Sequence, residues 1–208
     1  MSKIFTKIKK TMFPETWCIA YRKIENDDDC LIFSTEKPFT VIPNTKNFWC
    51  ADPFLFEKDG KLYAFFEVLD QIKRKGLLGC REINDFGYGD IKIIYECETH
   101  LSFPFIYENK DGIFITPESL HENKLFRLKC SKFPTEWEYD KTLIEQPLVD
   151  TVLFDNNETV YYFSQRVVNE GVFDRVDLFY EDNGEIKECN NPVKTDLSNA
   201  RGAGKVFP

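Results

Sequence analysis

Apolar and polar positions alternate along most of this chain in short runs punctuated by turn residues. The run Asp52-Pro-Phe-Leu-Phe-Glu-Lys-Asp-Gly-Lys-Leu-Tyr-Ala-Phe-Phe-Glu67 reads as two aromatic strands joined by an Asp-Gly pair. Alternation with period two around Asp-Gly specifies a β-hairpin. The pattern returns at Ser102-Phe-Pro-Phe-Ile-Tyr-Glu-Asn-Lys-Asp-Gly-Ile-Phe-Ile-Thr-Pro-Glu-Ser119, 51 residues on with one residue inserted before Asp111-Gly112. A third copy, Asp150-Thr-Val-Leu-Phe-Asp-Asn-Asn-Glu-Thr-Val-Tyr-Tyr-Phe-Ser-Gln165, lies 98 residues after the first.

Further strand-like stretches lie between the hairpins, such as Lys124-Leu-Phe-Arg-Leu-Lys129, Ile91-Lys-Ile-Ile-Tyr95 and Lys141-Thr-Leu-Ile144. Each unit then supplies about four short strands in roughly fifty residues, the size of a propeller blade. Trp17–Arg22 and Phe39–Pro43 read as outer strands ahead of the first hairpin, and a fourth repeat starts at Asn199-Ala-Arg-Gly-Ala-Gly-Lys-Val-Phe-Pro208. The expected fold is all-β, a five-bladed β-propeller type with about three and a half blades in this chain. Residues 1–14 form a basic N-terminal segment and residues 15–208 the propeller domain. Because one four-stranded sheet cannot cover both its faces, blades pack face to face and bury rings between them. Phe54, Phe56, Tyr63, Phe65, Phe105, Tyr107, Phe114, Phe154, Tyr161 and Phe163 are the expected packing set.

Composition sharpens this in three ways. Aromatics are 15% of 208 residues, with twenty Phe, which favours pleated, half-buried surfaces. The formal net charge of −8 argues against a nucleic-acid partner, whose phosphates call for a basic face. Seven cysteines without a C-x-x-C pair match neither a zinc site nor a secreted disulfide framework, so a reducing, cytoplasmic setting is expected. No metal and no cofactor is expected, since Gly202-Ala-Gly-Lys205 lacks P-loop spacing and Asp27-Asp-Asp29 lacks spaced calcium ligands. No apolar run is long enough for a membrane span. Ile4, Ile8 and Met12 among Lys3, Lys7, Lys9 and Lys10 describe either a short helix touching an anionic membrane surface or one packed on the domain.

In a propeller the innermost strands converge on the central channel, so equivalent polar residues of successive repeats meet in one pocket. Asp52, Ser102 and Asp150 occupy the equivalent positions, with Ala200 or Arg201 starting the fourth, and Glu67, Glu118 and Gln165 stand at the far end of each hairpin. Carboxylates gathered this way suit glycosyl chemistry, where an ionised group activates water or attacks carbon while another keeps its proton for the leaving oxygen. In that reading Asp52 is the base, Glu118 the acid, and Asp150 the tuner of the acid's pKa or of substrate orientation. His100, Ser102 and Arg201 would bind the sugar. The alternative reading has Asp52 and Asp150 capping turns at the mouth of each blade.

Trp49-Cys-Ala-Asp-Pro-Phe-Leu-Phe56, His100-Leu-Ser-Phe-Pro-Phe105 with Thr116-Pro-Glu-Ser119, Val149-Asp-Thr-Val-Leu-Phe154 and Ala200-Arg-Gly-Ala-Gly204 form an ordered series over residues 15 to 208. The series resembles the N-terminal β-propeller domain of glucosamine inositolphosphorylceramide transferases and its bacterial relatives. That domain is similar to the five-bladed propellers of the arabinanase, xylosidase and fructosidase superfamily. The resemblance implies a carbohydrate-facing pocket, with the hydrolase base or nucleophile carried over by position only to Asp52. In the arabinanase-like enzymes the tuning Asp precedes the acid Glu, whereas here Glu118 precedes Asp150. The resemblance also implies that transferase chemistry resides in a separate domain. The function expected is a carbohydrate-active propeller in surface-polysaccharide or glycolipid metabolism, or a non-catalytic glycan-binding or scaffolding module. A partner chain covering the open blade edge is also expected.

Overall fold

The computed structural model describes residues 16–24, 38–85, 87–156, 159–166 and 175–190, together with Gly204. Three antiparallel meanders repeat along it. The first blade runs β3 (Phe48–Lys58), β4 (Lys61–Asp70) and β5 (Lys75–Asn84). Its outer edge is shared by β6 (Gly87–Tyr88) and β7 (Lys92–Tyr95), which both pair with β5. The second blade is β8 (Ser102–Asn109), β9 (Gly112–Glu118), β10 (Leu125–Lys132) and β11 (Glu136–Ile144). The third is β12 (Leu148–Asp155), β13 (Val160–Arg166), β14 (Val176–Asp182) and β15 (Glu185–Glu188). β1 (Ile19–Tyr21) and β2 (Thr40–Ile42) form a separate two-stranded sheet. The all-β, incomplete propeller-type fold expected from the repeat is therefore the observed one, and the only helical piece among the described residues is a 3-10 turn at Leu120–Glu122.

Turn chemistry explains where the hairpins reverse. Asp59 and Gly60 both have positive φ, 52° and 72°, the requirement of a type I′ turn between right-twisted strands, and Asn183-Gly184 repeats it at 52° and 84°. The second hairpin differs, because Asn109 pairs with Gly112 and the loop residues are Lys110 and Asp111. There Asn109 Oδ1 accepts the Asp111 N–H at 2.8 Å.

The blades meet through rings. Phe54 packs edge-on to Phe103 and Phe105, with centroids 4.9 and 5.4 Å away, and Phe65 packs on Trp137 at 5.8 Å. These join the first blade to the second, and one buried cluster continues through Leu153, Tyr162 and Phe179 of the third. A second cluster, with Cys50, Phe66 and Val68, lies on the far face of the first blade beneath Ile19 and Ile42 of the β1–β2 sheet.

The packing set is observed for the first two blades but shifts in the third. Phe154, Tyr161 and Phe163 are half-buried on the face turned away from the second blade, while Tyr162 and Phe179 fill the interface. Val160-Tyr-Tyr-Phe163 is apolar on both parities, so the packing neighbour decides which face is core.

Candidate functional site

Each inner strand carries a β-bulge at the same place. Pairing slips between Ala51 and Phe54, between Ser102 and Phe105, and between Val149 and Val152. At the first bulged position the backbone turns left-handed, with φ 50° at Asp52, 45° at Phe103 and 48° at Asp150. Positive φ costs an L-residue about 1–2 kcal/mol, and the short polar side chain of Asp tolerates it better than Phe. Three occurrences, one of them a phenylalanine, make the bulge, which bends the strand that carries it, a device of the repeat itself.

This register corrects one expected equivalence. The counterpart of Asp52 and Asp150 is Phe103, not Ser102, because Ala51, Ser102 and Val149 are the residues paired directly with Glu67, Glu118 and Gln165. Only two of the three bulges therefore present a carboxylate. Ser102 is buried on the preceding step of the strand.

A cavity of about 580 Å³ opens between the inner strands, lined by Asp52, Glu67 and Asp150 with Trp17, Phe54, Phe103 and Gly204 among others. Two bulge aspartates thus reach one space with aromatic walls, an arrangement of few polar groups on an apolar surface that suits a small ligand. Glu118 reaches the same region from β9. Its Oε2 accepts the Asp150 backbone N–H at 3.3 Å, which sets the expected acid directly beside the expected tuner. Asp150 itself is 4% exposed.

His100 closes the first junction. Its Nε2 lies 3.1 Å from Glu67 Oε1, and its Nδ1 accepts the Gly76 backbone N–H at 3.0 Å. The bond to Glu67 raises the His100 pKa above its ordinary value, and the negative charges of Glu67, Glu118 and Asp52 push the same way against the opposing effect of burial. The Gly76 donor opposes protonation of Nδ1.

Gly76 was not legible as a site residue, although a lone glycine in a strand pattern signals a close approach. A Cβ there would meet Leu101 O at 2.3 Å, His100 Nε2 at 2.8 Å and Glu67 Oε1 at 2.9 Å. Arg201 lies outside the described residues, as do residues 1–14 and the rest of the fourth repeat except Gly204. Among the described residues, no three His, Cys, Asp or Glu side chains are placed to share a metal ion. No helix among them is long and apolar enough to cross a membrane. The six described cysteines are free thiols.

Bladed meanders whose inner strands converge on one cavity define a propeller-type domain, and solved structures share the fold. An α-L-arabinofuranosidase from Lactobacillus brevis superposes with a TM-score of 0.59 at 9% identity, over 76% of this chain and 61% of that one. A protein of unknown function from Dyadobacter fermentans gives 0.56 at 14% identity, over 74% and 57%. At these identities the likeness shows the fold alone.

Sequence comparison identifies the particular family. Residues 37–207 match the family described as glucosamine inositolphosphorylceramide transferase 1, N-terminal, and the chain belongs to it. Glucosamine inositolphosphorylceramide transferase 1 of Oryza sativa subsp. indica is 29% identical over 172 residues, which is 76% of this chain and 22% of that protein. The Arabidopsis thaliana protein of the same name is 32% identical over 114 residues, covering 54% and 15%. The chain thus spans about a fifth of the length of the curated relatives it matches.

Proposed function

We propose that this domain holds a sugar or sugar conjugate in the cavity between its inner strands, as part of the machinery that builds a surface polysaccharide or glycolipid. The observation that carries the reading is the convergence of Asp52 and Asp150, from bulges 98 residues apart, on one aromatic-walled cavity. Ionised carboxylates accept hydrogen bonds from sugar hydroxyls, and a ring face stacks on Phe103, Phe54 or Trp17. His100, Ser102 and Arg201 complete the set that this reading assigns to the sugar. The names of the rice and Arabidopsis relatives support a glycolipid setting, and the free thiols support a reducing, cytoplasmic one.

A second reading is hydrolysis or glycosyl transfer at the same cavity, at whose edge the Glu118 carboxylate accepts the Asp150 main-chain N–H. It makes Asp52 the base, Glu118 the acid and Asp150 the tuner. A thermal-shift screen against oligosaccharides, nucleotide sugars and glycolipid headgroups, repeated with Asp52→Asn, tests the first reading. A ligand that raises the melting temperature of the native chain and not of the variant supports it; no stabilisation by any sugar sinks it. Turnover of that ligand, lost in both Asp52→Asn and Glu118→Gln, is the result the second reading requires.

A further inference from the structure

Glu67 stands across the first hairpin from the bulge. It pairs with Ala51, the residue before Asp52, and on its other side with Leu78 of β5. From there it lines the same cavity as Asp52 and Asp150. A glutamate side chain is rich in rotamers, so a carboxylate that is to meet a ligand in one orientation needs something to hold it. Among the described residues, the one side-chain hydrogen bond to Glu67 comes from His100, whose Nε2 lies 3.1 Å from Oε1. That contact leaves Oε2 for another donor.

Main-chain bonds fix the ring in turn. His100 Nδ1 accepts the Gly76 N–H at 3.0 Å, and the Leu101 N–H donates to Gly76 O at 3.1 Å, so residues 100 and 101 clamp one glycine from both sides. Leu101 is fully buried and anchors the clamp. The glycine is required there, because a Cβ would lie 2.8 Å from His100 Nε2 and 2.9 Å from Glu67 Oε1. With Nδ1 accepting, the neutral ring carries its proton on Nε2 and donates it to Glu67. Both nitrogens are then engaged, and neither is left for a sugar hydroxyl. The imidazole therefore serves a ligand only through Glu67. At the same step of the second hairpin, Glu118 takes a main-chain N–H instead, that of Asp150.

We infer that Glu67 is a third ligand-gripping carboxylate of the cavity, its Oε2 accepting a sugar hydroxyl, and that His100 is the positioning residue that aims it. These roles rest on the sugar-holding cavity proposed above. Titration calorimetry of the full chain with cellotriose, mannotriose and arabinotriose tests them, on the native protein, Glu67→Gln, His100→Leu and the double variant. Glu67→Gln should bind roughly ten- to a hundredfold more weakly. His100→Leu frees the carboxylate arm and should cost roughly three- to tenfold, whereas His100→Gln, whose amide can bridge the Gly76 N–H and Glu67, should stay within about twofold of native. In the Glu67→Gln background His100→Leu should cost nothing more, because its effect is carried by the carboxylate. A native-like affinity in Glu67→Gln overturns the grip, and full addition of the two losses overturns the positioning role; in both cases the cavity reading survives if Asp52→Asn still weakens binding. No binding to the native chain by these probes or by any sugar of the wider screen counts against the cavity reading itself and removes both roles with it. Urea melts of each variant separate lost affinity from lost folding. Should His100→Leu not fold, nitrogen NMR of the native ring decides: a neutral imidazole protonated on Nε2 is the expected result, and one protonated on Nδ1 overturns the positioning role.

Discussion

Replacing Gly76 with alanine puts the junction between the first two blades under direct load. The added Cβ would sit 2.3 Å from the Leu101 carbonyl oxygen, a main-chain atom that cannot swing aside, and under 3 Å from both His100 Nε2 and Glu67 Oε1. Overpacking of this kind costs about 1–3 kcal/mol. Relief of the clash means parting β5 from the 100–101 segment, which threatens the Gly76 N–H bond to His100 Nδ1 and the Leu101 N–H bond to Gly76 O at 3.1 Å. At about 1 kcal/mol for each bond, the total loss is about 3–5 kcal/mol when both bonds break. That is a large part of the roughly 5–15 kcal/mol that holds a domain folded, so the variant should fold but with a clearly lower urea midpoint. Titration of His100 by NMR supplies an independent signature. A ring pushed off Glu67 loses the bond that raises its pKa, so the pKa should fall toward the ordinary value. A stability loss below about 1 kcal/mol with an unchanged His100 titration would refute the reasoning.

Two other predictions follow from ionisable groups. Because Glu67 raises the His100 pKa in the folded state, the bond's stabilisation is fully present below the unfolded value of about 6.5 and is lost as pH rises through the folded pKa. The stability gap between the native chain and His100→Gln, from urea melts, should therefore be widest near pH 6 and narrow on going to pH 8; a gap that widens over that window contradicts the assignment. Burial pushes the Cys50 thiol up to about 11 and the Cys80 thiol to about 12, so both stay protonated and unreactive at neutral pH. Exposed Cys18 should label with a maleimide before either of them, and labelling of Cys80 at the Cys18 rate in folded protein would overturn the packing.

The repeat was the most legible feature, because it is written in turn residues and aromatic alternation that act locally. Asp59-Gly60 and the inner strands beginning near residues 52, 102 and 150 needed no knowledge of tertiary contacts. The bulge was not legible to the residue. Ser102 and Phe103 both fit the spacing, and pairing of Ser102 with Glu118 across the hairpin decides that Phe103 takes the left-handed turn. The role of Gly76 was hidden for a similar reason, since what crowds it comes from residues 67, 100 and 101. In the third blade Phe163 and Tyr162 are equally apolar, so sequence could not say which would face the second blade. Of the candidate residues, the cavity gathers Asp52 and Asp150, Glu118 and His100 stand in contact with its edges, and Ser102 sits one step off the bulge.

The claim that carries most weight is that Asp52 and Asp150 grip one ligand from two blades. Titration calorimetry with a sugar found to stabilise the native chain, repeated with Asp52→Asn and with Asp150→Asn, tests it most directly. A charged hydrogen bond contributes about 1.5–3 kcal/mol, so each variant should bind roughly ten- to a hundredfold more weakly while remaining folded. Affinities within twofold of the native chain in both variants would contradict it, and the ligand would have to be sought outside the cavity.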